Sequence, residues 1–222
     1  MNRTQFQKIG VLCMVSALFN VIVCTFNGSI LKAPLYMDTI FNVAMCFCSG
    51  LLPGLITGML LSPIIYFLVC RYIIGLSVEL NLLTNIWVIC VFVEVLLVYV
   101  FHTRMKNREA VFLERPSLQS FIGVAAQLMV LVVLDCIVIS LSGGIIDFVL
   151  TVLQTPRASF PEDSFKLGLF RNNVPLLPAA ILSRIPINIV DRFIAIFGGY
   201  GVSLVFVKWV GGKKDQLENI SK

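Results

Sequence analysis

The sequence predicts an all-α integral membrane protein, a bundle of six transmembrane helices forming a single domain over residues 1–222. Three observations predict it. Hydrophobic residues make up 58% of the chain and charged residues 13%, where soluble domains hold about 45–50% and roughly 25%. The mean hydropathy is +0.94. The charges are bunched, and the runs between them match the roughly 20 helical residues needed to cross a hydrocarbon core about 30 Å thick. The alternating segments of a membrane β-barrel are absent.

The elements follow in order. Nothing is charged from Ile9 to Leu31, which predicts a first span over 9–31. Its length and the lack of a small-residue cleavage pattern imply that it is retained and not removed as a signal peptide. Thr39 to Cys70 is also free of charge, too long for one span and short for two. Pro53-Gly54 near its middle is expected to divide it into short helices over 37–52 and 54–70. A fourth span covers 82–101 with one acid, Glu94, and a fifth covers 118–142 with one acid, Asp135. The sixth covers 187–207 and carries Asp191 and Arg192.

Lys and Arg placement sets the expected orientation. Arg3 and Lys8 precede the first span; Arg104, Lys106, Arg108 and Arg115 separate the fourth from the fifth; Lys208, Lys213, Lys214 and Lys222 follow the sixth. With six spans these clusters share one side, so both termini are expected in the cytoplasm of a multi-pass cell-membrane protein. The opposite side holds Lys32, Arg71, Arg157, Lys166 and Arg171, offset by Asp147, Glu162 and Asp163. The net charge of +5 thus suits anionic membrane lipid and gives no case for nucleic acid. One long connection, from Gly143 to Pro175 and beyond, is expected as an extracellular loop between the fifth and sixth spans.

No catalytic, metal or cofactor chemistry is apparent. Cys13, Cys24, Cys46, Cys48, Cys70, Cys90 and Cys136 fall within or at the ends of spans and read as small apolar packing residues. Cys46 and Cys48 stand about 200° apart on a helix, so they cannot grip a metal together. His102 is the single histidine, which leaves a Ser/His pair or a metal site almost without material. Gly211-Gly212-Lys213 lacks the spacing of a nucleotide-binding loop. The chain is therefore not expected to be an enzyme or to hydrolyse ATP itself.

What remains are polar side chains inside apolar segments, which are costly in lipid unless paired or facing a cavity. Asp38 opens the second span at the outer surface, and Asp135 is expected near the outer end of the fifth. Asp191 and Arg192 fall roughly one turn below the outer boundary of the sixth, with Arg184 at that boundary. Arg184, Asn188, Asp191 and Ala195 share a stripe about 60° wide, with Arg192 at its border. Asp38, Asn42 and Ser49 would share a face on the second span. Asp38, Asn42, Asp135, Arg184, Asn188, Asp191 and Arg192 are therefore the candidate substrate-binding residues. Glu94 lies deeper, as an acid for helix packing or for a ligand. The plainer alternative is that Asp191 or Asp135 only neutralises an arginine.

Small residues mark close helix approaches: Gly54-x-x-x-Gly58, Ala195-x-x-x-Gly199 and the run Gly198-Gly199-Tyr200-Gly201. A small stripe on the first span, Cys13 and Ala17 and less clearly Ser16, is a candidate surface for coupling to a partner.

Leu35-Tyr36-Met37-Asp38-Thr39-Ile40-Phe41, followed by Gly50-Leu51-Leu52-Pro53-Gly54-Leu55-Ile56-Thr57-Gly58, resembles the helix 2 to helix 3 hairpin of substrate-binding S components of energy-coupling factor (ECF) transporters. Ile185-Pro186-Ile187-Asn188-Ile189-Val190-Asp191-Arg192 with Gly199-Tyr200-Gly201 resembles their sixth helix. The resemblance implies a subunit that binds a vitamin or other small nutrient from outside, working with a membrane coupling protein and two cytoplasmic ATPases. Related modules also serve as membrane domains of bacterial sensor proteins, which bind a ligand or partner without transporting it. The family's first helix commonly carries A-x-x-x-A, where Cys13-x-x-x-Ala17 stands here. No vitamin-specific pattern is matched.

Overall fold

The computed structural model describes residues 3–74, 86–115, 117–153 and 162–211. Positions 82–85 of the fourth expected span, Pro156, Arg157, Pro161, Lys213, Lys214 and Lys222 lie outside the described residues. Among those described, every regular element is helical. Helix α1 spans Arg3–Phe26 and continues into a π turn, Asn27–Leu31. Helix α2 is short, Ile40–Ser49. Helix α3 runs Leu51–Ile73, α4 Val88–Glu114 and α5 Leu118–Val152. Two short helices follow, α6 over Asp163–Arg171 and α7 over Leu176–Leu182, before α8 over Ile185–Val210.

Among the described residues, five helical stretches are long and apolar enough to cross a membrane: α1, α3, α4, α5, and α7 with α8 taken together. The 10-residue α2 is only about 15 Å long, half of what a crossing needs. The second expected span is thus a half-length helix. It starts at Ile40 and not at 37 because Met37 holds a left-handed backbone, φ 51°, which a continuing helix does not admit.

The break between α2 and α3 also differs from expectation. It falls at Gly50, φ 91° and ψ −170°, a conformation open to glycine. Pro53 sits in the first turn of α3, where a backbone N–H has no intrahelical acceptor and its loss costs little. Pro178 in α7 and Pro186 in α8 occupy the same kind of position. Gly54 serves close packing: a Cβ there would stand 2.9 Å from Val95 Cγ1 and 3.1 Å from Cys46 Cβ. Within α3 the turns widen at Ile56–Leu61, just ahead of Pro63, whose ring and missing donor disturb the ordinary ladder.

The described part of the expected long loop is largely helical. Helix α5 continues ten residues past 142, and α6 and α7 fill most of the described remainder. Its start is fixed by a capping box, in which Ser120 N donates to Ser117 Oγ at 3.2 Å and Ser117 N to Ser120 Oγ at 3.0 Å. Because α5 is this long, Asp135 lies mid-helix and not near its outer end.

Lys8 Nζ donates to the carbonyls of Trp209 and Val210 at 3.0 and 3.4 Å, so the start of α1 and the end of α8 share one end of the bundle. At the other end Arg184 stands over the Trp87 ring, 4.8 Å from its centroid. Helix α2 packs most extensively on α8, and α5 lies between α4 and α8. Close approach at the α2–α8 contact needs Gly199, where a Cβ would be 2.7 Å from Val43 Cγ1 and 2.9 Å from the Ile40 carbonyl.

The solvent-facing exterior is apolar: Met14, Leu18 and Ile22 on α1, Val133 and Ile137 on α5, and Val190 and Phe193 on α8 are exposed. Glu94, Asp135, Asp191 and Arg192 are buried. That inversion of the soluble-protein pattern is what lipid as surrounding solvent selects.

Candidate functional site

The buried charges meet at a junction of α4, α5, α8 and the segment leading into α2. Arg192, on the inward stripe of α8, donates from Nη1 to Glu94 Oε1 of α4 at 2.5 Å. Its Nη2 donates to the neighbouring Asp191 carboxylate. Asp135 of α5 stands 3.9 Å from Arg192 Nη1, which is charge contact without a hydrogen bond. Thr39 Oγ1 donates to Glu94 at 3.0 Å, and the Met37 N–H to Asp191 Oδ1 at 2.8 Å. The chain entering α2 is thereby tied to α4 and α8.

One turn along α8, Asn188 Nδ2 donates to Ser140 Oγ of α5 at 2.9 Å. Not every polar atom here is satisfied. Both carboxylate oxygens of Asp135, the side-chain carbonyl of Asn188 and Nε of Arg192 are buried without a hydrogen-bond partner among the described residues. Buried polar atoms left unmatched cost about 1–3 kcal/mol each, so such a concentration calls for an occupant or a function.

A second polar group lies nearer the Trp87 end. Arg184 pairs with Glu162, and the Tyr36 hydroxyl donates to the same carboxylate. Burial pushes the Tyr36 phenol well above its usual value, with the Arg184 charge opposing, so Tyr36 acts as a neutral donor. Gly143 leaves the room for Arg184: a Cβ there would stand 2.9 Å from Nη1. Beside this, Lys166 of α6 pairs with Asp147 of α5 at 2.7 Å and with Asp163 at 3.1 Å. Asp147 and Lys166, expected as loop charges, therefore dock α6 on α5.

Of the residues singled out from sequence, Asp135, Asn188, Asp191 and Arg192 converge. Asp38 is exposed in the segment before α2, close enough to Asp191 and Arg192 to feel both charges. Arg184 belongs to the second group. Asn42 points elsewhere: its Oδ1 accepts from Asn20 Nδ2 of α1 at 2.7 Å, and Asn20 Oδ1 accepts the Phe41 N–H at 3.0 Å. The expected polar face of Asp38, Asn42 and Ser49 is thus not a common pocket wall. Ser49 donates to Cys48 Sγ at 3.3 Å. Cys13, Ser16 and Ala17, expected to face a partner, are buried inside the bundle; Cys13 Sγ lies 3.8 Å from the Pro53 carbonyl of α3. The candidate coupling stripe is an internal seam.

Sequence reasoning passed over Thr39, Ser140, Tyr36 and Glu162. Asn20 had a usable signal, an amide in the middle of a charge-free run. Glu162 had none, because it sits in a polar, proline-rich stretch.

These features define an all-α, multi-pass membrane protein with an ionic junction inside its bundle. Compared with protein-family models, curated proteins and solved structures, the chain matches none.

Proposed function

We propose that this chain is the substrate-binding subunit of an ATP-driven importer, which captures a small, vitamin-like nutrient in the half of the bundle nearest Arg184. The observation that carries the reading is the junction itself. Three helices bring charged side chains together inside an apolar shell, and Asp135 and Asn188 keep acceptors that nothing among the described residues satisfies. Neutralising Arg192 requires fewer acids than converge on it. The resemblance to S components supports the transport role, and the absence of a phosphate-binding loop in the sequence leaves ATP hydrolysis to partner ATPases, joined through a membrane coupling protein. In this reading the Lys8 end, rich in Lys and Arg, faces the cytoplasm and the Arg184 end faces out.

One observation favours a second reading, a sensory or scaffold module that binds without transporting. Cys13 and Ala17 are already covered by the chain's own helices, so the docking stripe that the resemblance implies is occupied. The deciding experiment is affinity purification in mild detergent from native membranes, with mass spectrometry of both the proteins and the small molecules retained. A solute together with a coupling protein and ATPases supports the importer. A signalling or other protein in their place, with or without a solute, supports the sensor or scaffold, and retention of neither a solute nor a partner, with no added solute raising the melting midpoint, overturns both.

A further inference from the structure

The junction has a charge imbalance that narrows the class of solute. Arg192 is met by Glu94, Asp191 and Asp135, with Asp38 close by. The nearest other cations are engaged, Arg184 with Glu162 and Lys166 with Asp147 and Asp163. Within the junction itself the unmatched polar atoms lean the same way: three acceptors, Asp135 Oδ1 and Oδ2 and Asn188 Oδ1, against one donor, Arg192 Nε. Asn188 is an observation separate from the acids. It is neutral and 1% exposed, lies one turn from Asp191 and Arg192 on the same buried stripe, and has its amide nitrogen committed to Ser140.

Resting on the solute-binding reading above, we infer that the solute is a small organic cation whose protonated amine binds between Asp135 and Asn188. An alkylammonium brings one positive charge, three donors and no acceptor, the complement of what the junction leaves unmatched. A carboxylate or phosphate would meet three acids and a single guanidinium already engaged by two of them. An uncharged solute would satisfy acceptors and leave the charge uncompensated inside an apolar shell. A metal ion needs a converging ligand set, and among the described residues no group of three or more His, Cys, Asp or Glu has that arrangement.

The test combines small-molecule mass spectrometry of the protein purified in mild detergent with thermal shifts. The probes are putrescine, agmatine and ethanolamine, with 1,4-butanediol and succinate as uncharged and anionic counterparts. The expected results are a retained amine or a midpoint raised by at least one cationic probe and by neither counterpart, with retention or probe affinity falling about tenfold or more in Asp135→Asn. Asn188→Lys, which supplies a tethered ammonium, is expected to abolish the effect while the protein stays folded, so an unfolded D135N does not decide the matter. A retained carboxylate, phosphate or uncharged solute overturns the cation assignment and leaves the binding reading standing. No retained solute together with no shift from any probe overturns both, and means that protons alone balance the acids.

Discussion

The backbone N–H of Met37 donates to Asp191 Oδ1 at 2.8 Å, joining residues 154 positions apart. This bond explains why Asp191 is not a free ligand contact: one oxygen holds the chain entering α2 and the other holds Arg192. Asp191 and Glu94 therefore build the junction, and Asp135 and Asn188 are left to meet an occupant.

That division predicts opposite consequences for removing charges. Arg192→Met strands three buried acids and should cost about 3–5 kcal/mol, the range for breaking a buried pair. Asp135→Asn removes an acid that no hydrogen bond holds and should leave the thermal midpoint unchanged or higher. Combining the two should recover part of the loss. Melting of the three purified variants checks this, and a collapsed midpoint for D135N would show Asp135 to be structural.

The Asn20–Asn42 pair should matter to stability and not to binding. Asn42→Leu leaves Asn20 with a buried unmatched amide and should cost about 1–3 kcal/mol, with solute retention unaltered. Weakened retention in a protein of normal stability would return Asn42 to the site.

Glycines of the last helix should respond according to the space around them. Gly199→Ala drives a methyl against Val43 and the Ile40 carbonyl and should destabilise by about 1–3 kcal/mol. Gly201→Ala meets nothing within 4 Å and should be neutral or gain up to about 1 kcal/mol of helix propensity. Equal midpoints for the two would contradict the tight α2–α8 contact.

Ala17→Trp should disrupt the bundle itself, because Ala17 is fully buried, whereas Leu18→Trp on the lipid-facing side should not. A normally folded A17W that loses only its partners would place this stripe on a docking surface after all.

Orientation is tested by labelling. Cysteines replacing Arg171 should react with an impermeant reagent added from outside, and those replacing Lys106 only after the membrane is opened. The reverse pattern would invert the proposed sidedness.

The helical class and the long apolar helices were legible because lipid imposes one rule on every exposed position, and charge-free runs report it directly. The inward stripe of α8 was legible for the same reason. What escaped was local geometry. The α2–α3 break was read at Pro53-Gly54, a pair equally at home in a first helical turn, whereas Gly50 carries the left-handed backbone. The sequence ends α5 too early, because Asp147 looks like a loop charge and the Lys166 that neutralises it stands 19 residues away. Helical angle puts Asn42 on the face of Asp38, and angle cannot show that Asn20 on another helix engages it.

The placement of opposite charges on different helices bears on how the protein is made. Helix α8 carries Asp191 and Arg192, α4 carries Glu94 and α5 carries Asp135, and each such residue resists partition into lipid by about 2.5–3.5 kcal/mol at a helix centre. Until α8 arrives, the acids of α4 and α5 lack their guanidinium. Insertion of the later helices is therefore expected to be cooperative, because an assembly halted before α8 would carry uncompensated acids within the bilayer.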